Sequence, residues 1–383
     1  RPSMGVALVI DRSGSMAGDK IANARAAAQS FISSMADGDV VSVFQYDDVV
    51  EMVAPPTVID GASRAGLLAA VARITPRGST NLHGGLVAGI GSLTTAQAER
   101  PLRRVILISD GLANVGPSSP HELGNVAAGA AAQGISVTSI GVGLDYDEST
   151  MGAVAVRSGG RFYHLQESAQ LASILQTELN ALGMTVARGV YLELAPAPGV
   201  QILGVSGADM TRQGDVVRLG VGDMLGEQSR QVVIPVRLPT SGSAEQTAAT
   251  VTLHYQAAAS GAERTHASTV AYRLAASEDH VRRGVRPQFA VAVESHRSAE
   301  ARVQAAELMA EGEADRAADV LAARATASRR RARDLGGRAG AAIDFEADRV
   351  EATGSRARAA RSAPAARAME LELEDEALEA QGF

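Results

Sequence analysis

The sequence predicts an α/β fold: a doubly wound, mostly parallel sheet, then an antiparallel β-sandwich-like domain and a C-terminal α-helical hairpin. Unbroken apolar runs such as Val105-Ile106-Leu107-Ile108 suit strands buried on both faces. Those runs alternate with stretches of helical periodicity, the pattern of a parallel sheet covered by helices. Near residue 185 the pattern changes to short period-two runs separated by Gly, Ser and Pro turns, which suits antiparallel strands.

The elements follow in order. The run from Met4 to Ile10 is a buried-type strand. Ile21, Ala24, Ala28, Phe31, Ile32 and Met35 share one helical face. A strand from Val40 to Phe44 precedes a helix from Leu67 to Ile74, stopped by Pro76. Another helix runs from after Asn81 to about Ala98, and Val105 to Ile108 is the next strand. Glu122 to Ala132 is helical, Gly134 closes it, and Ile135 to Ile140 is a strand. A short strand from Arg161 to His164 leads into a helix from Ser168 to Leu182. Residues 1–184 thus read as one domain. Residues 185–275 form the β domain, where Val190, Leu192 and Leu194 alternate with Tyr191 and Glu193. Residues 276–335 form the hairpin, two helices broken at Gly312. Residues 336–383, rich in Ala and Arg, read as a mobile tail with an acidic-apolar end from Met369 to Glu374.

Composition narrows the function. The 383 residues are 46% apolar and 21% charged, which excludes whole-chain disorder. A net charge of −7 argues against a dedicated nucleic-acid binder. The absence of cysteine removes disulfides, zinc-thiolate sites and cysteine nucleophiles. Of 36 basic residues only Lys20 is a lysine, and biased codon usage accounts for the arginine excess. No apolar run is long enough to span a bilayer. The chain starts almost inside a strand and reads as trimmed. The expectation of a soluble, cytoplasmic protein therefore leaves room for a missing N-terminal targeting segment.

Three segments carry chemistry: Asp11-Arg12-Ser13-Gly14-Ser15-Met16, Gly78-Ser79-Thr80-Asn81-Leu82-His83-Gly84-Gly85-Leu86, and Asp110-Gly111. Each lies after a predicted strand or at the start of a predicted helix. In a doubly wound sheet such loops gather in one crevice at the carboxyl ends of the strands. Asp11, Ser13, Ser15, Thr80 and Asp110 can therefore converge. They offer oxygen alone, two carboxylates and three hydroxyls, which suits a hard cation. Hydroxyls and waters favour Mg²⁺, with Mn²⁺ or Ca²⁺ as substitutes. So few anionic ligands leave the ion electrophilic towards a carboxylate from outside.

These residues resemble the metal-ion-dependent adhesion site of von Willebrand factor A (VWA) domains. Asp11, Ser13 and Ser15 match its Asp-x-Ser-x-Ser element, Thr80 its distant Thr, and Asp110-Gly111 its distant Asp. The resemblance covers about residues 4–182. It implies that Ser13, Ser15 and Thr80 ligate the metal, that Asp11 and Asp110 act largely through water, and that a partner's Asp or Glu completes the sphere. The segments Gly141 to Glu148 and Gly160 to Tyr163, and the domains that follow, are similar to bacterial A-domain proteins. In some of these the A domain is inserted into the β domain.

Other signals fall away. His121-Glu122 lacks the second histidine of a zinc-protease helix, since residue 125 is Asn. There is no Gly-x-Ser-x-Gly elbow and no phosphate-binding P-loop. Asp145, Asp147 and Glu148 read as a solvated loop entering a helix, and Arg329 to Arg333 as a solvated helix end. The expected function is a metal-dependent protein-interaction module or scaffold, not an enzyme. Met16, His83, Leu112 and Asn114 are the expected ligand-contacting surface, and the C-terminal segment is a candidate for self-association. The alternatives are an accessory subunit of a MoxR- or chelatase-type ATPase and a metal-assisted hydrolase with His83 as the nearest base.

Overall fold

The computed structural model describes residues 1–95, 100–205, 209–277, 280–281 and 284–381. A six-stranded sheet has the order β3-β2-β1-β4-β5-β6. Its strands are β1 (Met4–Asp11), β2 (Val40–Tyr46), β3 (Val50–Val58), β4 (Leu102–Ser109), β5 (Ser136–Val142) and β6 (Phe162–Leu165). All pairs are parallel except β2 with β3. Sequence reading missed β3, because Pro55 and Pro56 argue against a strand. As the edge strand of the sheet, β3 tolerates them.

β1 shows why its apolar run is unbroken. Val6, Leu8 and Ile10 point to one face, where α1 (Asp19–Ser34) and α6 (Leu171–Gly183) contribute Phe31, Leu175 and Leu179. Ala7 and Val9 point to the other face, where α3 (Leu82–Leu93), α4 (Pro120–Ala132) and α5 (Glu148–Ser158) contribute Leu86, Leu123 and Val154. The short α2 (Gly61–Val71) completes the first layer with Leu67 and Val71. The expected extension of α3 towards Ala98 enters residues 96–99, which lie outside the described residues; α3 itself ends at Leu93.

β1 lies between β2 and β4, and the chain leaves it through α1 to β2 on one side only. The strand order reverses there, which opens a crevice above the carboxyl ends of β1 and β4. Ile10 pairs with Ile108, so Asp11 and the residues after Ser109 emerge side by side.

The β domain is one antiparallel five-stranded sheet in the order β13-β12-β7-β10-β9. It comprises β7 (Thr185–Pro196), β9 (Asp209–Gln213), β10 (Val216–Leu225), β12 (Glu245–Ala257) and β13 (Glu263–Arg273). A two-stranded ribbon of β8 (Gln201–Ile202) and β11 (Val236–Arg237) accompanies it. Ile202 of the ribbon shares a small core with Leu194, Val217 and Leu219 of the sheet.

The last segment differs from expectation. The hairpin is present as α7 (Pro287–Ala310) and α8 (Ala314–Leu335). The residues read as a mobile tail form two more long helices, α9 (Gly337–Ala359) and α10 (Ala363–Gln381). Small residues misled the reading: Gly340 and Gly354 let α9 pack tightly on α8, where a Cβ at Gly340 would stand 2.5 Å from the Ala332 carbonyl. Arg329 pairs with Asp348 and Glu351 of α9 and so is not simply a solvated helix end. Met369 and Leu373 of α10 join the bundle core, whereas Leu371, about 200° away around the helix, enters the core of the first domain. The expected self-association segment is thus packed within its own chain.

Candidate metal centre

Three loops at the sheet's carboxyl edge build the site. After β1, residues 14–16 form a single 3₁₀ turn that folds the chain back. The Ser13 N–H donates to Asp11 Oδ1 at 2.7 Å, and the Ser109 hydroxyl donates to Asp11 Oδ2 at 2.7 Å. The hydroxyls of Ser13 and Ser15 lie 2.9 Å apart. Ser15 Oγ in turn donates to Asp110 Oδ1 at 2.7 Å. Asp110 Oδ2 receives Lys20 Nζ at 2.5 Å.

Thr80 reaches the same cluster. A Cβ at Gly111 would stand 3.3 Å from both Ser15 Oγ and Thr80 Oγ1, so both hydroxyls face that glycine. Thr80 is fixed by Asn114: its N–H donates to Asn114 Oδ1 at 2.8 Å, and its carbonyl accepts from the Asn114 N–H at 3.1 Å. All five expected residues are therefore brought together. Asp11, Ser13, Thr80 and Asp110 are buried, and Ser15 is exposed.

An ion cluster behind the loops sets their spacing. Asp47 binds Arg12 Nε at 2.8 Å and Arg77 Nε at 2.6 Å, and Glu51 binds both guanidinium groups from the other side. Arg12 lies in the first motif and Arg77 just before Gly78, so Asp47 ties the two loops together. The Arg77 N–H also donates to the Arg12 carbonyl at 2.7 Å, and the Gly14 N–H to the Gly78 carbonyl at 3.1 Å. Gly78 has φ +68, and a Cβ there would lie 2.8 Å from Asp48 Oδ2, so both conformation and space require glycine. Sequence reading missed Asp47, Arg77, Ser109 and the Asn114–Thr80 hydrogen bonds. Their signal is tertiary, because none has a motif partner close in sequence.

The electrostatics favour a cation. Burial pushes the Asp11 carboxyl up to about 6, the nearby Asp110 charge adds to the rise, and hydrogen bonds from Ser109 and Ser13 oppose it. Asp47 shows the opposite balance. Burial works to raise its carboxyl, but the Val49 N–H and the guanidinium groups of Arg77 and Arg12 hold it below its ordinary value. Among the described residues no group of three or more His, Cys, Asp or Glu side chains is placed to hold a metal. The oxygen donors at this edge are hydroxyls as much as carboxylates. Such a hard, weakly anionic set fits a hard divalent cation. The cradle at Gly111, which a side chain would invade, supplies the room.

The expected ligand-contacting surface is partly corrected. Leu112 is 60% exposed and Asn114 is exposed, though Asn114 also positions Thr80. His83 is half-buried in the first turn of α3. Met16 is fully buried, because the 3₁₀ turn directs its side chain into the core beneath α1. It contributes packing and no contact surface. The loop with Asp145, Asp147 and Glu148 is also not simply solvated. Asp147 caps α5 by accepting from the Thr150 N–H, and Glu148 is buried against Arg367.

Residues 6–177 match the family described as von Willebrand factor type A domain. The chain is 24% identical over 200 residues to YfbK of Escherichia coli (strain K12), covering 51% of this chain and 34% of that protein. It is 23% identical over 273 residues to sll0103 of Synechocystis sp. (strain ATCC 27184 / PCC 6803 / Kazusa), covering 68% of this chain and 63% of that one. The chain thus spans a third and under two thirds of these relatives. Among solved structures, a von Willebrand factor type A protein from Catenulispora acidiphila superposes with a TM-score of 0.77 at 19% identity. That match covers 98% of this chain and 89% of that one. It extends the shared fold through the β domain and the helices.

Proposed function

From a chain whose residues 6–177 form a von Willebrand factor type A domain, a metal-binding protein-interaction family, we propose a metal-dependent binding module that recognises an acidic side chain of a partner protein. The observation that carries this reading is the hydrogen-bonded string Ser13–Ser15–Asp110 beside buried Asp11 and Thr80. Asp11, Ser13, Ser15, Thr80 and Asp110 would hold Mg²⁺, which when bound supplies an electrophilic point for the partner's carboxylate. Asp11 holds the first loop in shape through the Ser13 N–H, and Ser109 fixes the orientation of its carboxylate. Asn114 and the Asp47 ion cluster hold Thr80 and the second loop.

Binding, not catalysis, suits these carboxylates. Both Asp11 oxygens accept hydrogen bonds from the protein, and both Asp110 oxygens are engaged by Ser15 and Lys20. Each is engaged in holding a loop or a neighbouring charge, which supports a binding role over that of a general base. Leu112 and Asn114 are exposed beside the site and would contact the partner around the metal.

The test is a pull-down from source-cell lysate with wild type in Mg²⁺, wild type in EDTA, and Ser13→Ala in Mg²⁺. Loss of the same partner in both controls supports the reading. A partner retained in all three moves the function to the β domain or the helical bundle.

A further inference from the structure

Lys20 is the only lysine among the chain's 36 basic residues. It stands in the first turn of α1, where the helix dipole disfavours a cation. Its Nζ nevertheless lies 2.5 Å from Oδ2 of the fully buried Asp110. A Cβ at Gly143, just past the end of β5, would stand 3.3 Å from Nζ, so the glycine leaves room for the ammonium. Lysine presents Asp110 with a compact point charge, where an arginine would present a planar fork. In a chain whose other Lys/Arg positions are all arginine, this one carries lysine's point charge.

We propose, on the reading of the site given above, that Lys20 is a built-in competitor for the metal. Its ammonium neutralises Asp110 in the metal-free protein and sets how tightly a divalent cation binds. The geometry makes the two roles exclusive in degree. Asp110 Oδ1 is tied to Ser15 and Oδ2 to Lys20, so any cation drawn to this carboxylate shares it with a positive charge already in contact. Site affinity is thereby held down, and a metal that leaves does not strand a buried, unpaired carboxylate.

The experiment compares Mn²⁺ binding by calorimetry and thermal unfolding in EDTA for full-length wild type, Lys20→Met and Lys20→Arg. Lys20→Met is expected to bind Mn²⁺ at least about tenfold more tightly, because a neighbouring positive charge is removed. In EDTA it is expected to melt below wild type, a deficit that Mn²⁺ erases. Lys20→Arg, which keeps the charge, is expected to bind no more tightly than wild type. If Lys20→Met does not fold, Lys20→Gln carries the same comparison, since it keeps a donor for Asp110 without the charge. Wild-type affinity in a folded neutral variant would overturn the proposal while leaving the metal site standing. Failure of wild type to bind Mn²⁺ at all would instead remove the metal-site reading, and the competitor role with it.

Discussion

Arg367 of the last helix forks onto Glu148 at the start of α5, 219 residues away, with Nη1 donating to Oε1 at 2.8 Å and Nη2 to Oε2. The same guanidinium donates to the Tyr146 carbonyl at 2.6 Å and the Leu144 carbonyl at 3.1 Å. It therefore clamps the whole β5–α5 loop. That loop begins at Gly143, where an added Cβ would lie 3.3 Å from Lys20 Nζ, and Lys20 is paired with Asp110. The loop held by the C-terminal helix thus runs past the Lys20–Asp110 pair of the candidate metal centre.

Arg367→Ala is expected to loosen α10 and to lower stability by about 1–3 kcal/mol, the cost of leaving a mostly buried Glu148 without its partner. Urea unfolding measures the loss, and limited proteolysis between α9 and α10 locates it. An unchanged midpoint and cleavage pattern would mean that apolar packing through Met369, Leu371 and Leu373 docks the helix without the clamp.

Glu374 gives α10 a pH dependence. Burial and the charges of Glu148 and Glu370 push its carboxyl up to about 8, against the attraction of Arg367. The folded state therefore keeps a proton that the unfolded chain has already lost. This group's contribution is most favourable below its ordinary value and declines as pH rises towards 8. Thermal midpoints from pH 5 to 9 should fall more steeply for wild type than for Glu374→Gln. Parallel curves would show that the carboxyl is solvated.

Asp11→Asn separates stability from metal binding. The folded-state value of about 6 lies above the ordinary 3.8, so the metal-free protein loses stability as pH rises through that window. At pH 7 the neutral amide is expected to stabilise the metal-free protein by about 1–3 kcal/mol and to abolish the gain that Mg²⁺ gives wild type. Melting curves with Mg²⁺ and with EDTA check both signs. An Asn variant less stable than wild type in EDTA would show that the Ser109 and Ser13 hydrogen bonds outweigh the burial of charge.

Gly111→Val places methyl groups where the Ser15 and Thr80 hydroxyls both face the glycine. Its expected effect is at least about a tenfold loss of Mn²⁺ affinity, with the fold preserved, as read by calorimetry and circular dichroism. Undiminished binding would mean that Thr80 takes no part in holding the ion.

The sequence by itself determined the α/β frame and which five residues meet at its carboxyl edge. Both are written in local signals: strands such as β1 are apolar throughout because helices cover both faces, and strand–loop–helix joints carry Asp-x-Ser-x-Ser and Asp-Gly where the chain must turn. The fate of the C-terminal region was decided only by tertiary structure. Met369, Leu371 and Leu373 alternate like a strand, yet they lie on a helix wedged between two cores, so opposite faces of one element are apolar for different reasons. The burial of Met16 and the loop-tying role of Asp47 were equally invisible, because each depends on which way a turn directs a side chain or on partners far along the chain. Lys20 shows both sides. Its rarity is plain in the sequence, but its meaning lies in a contact with Asp110, 90 residues away, that only the folded chain creates.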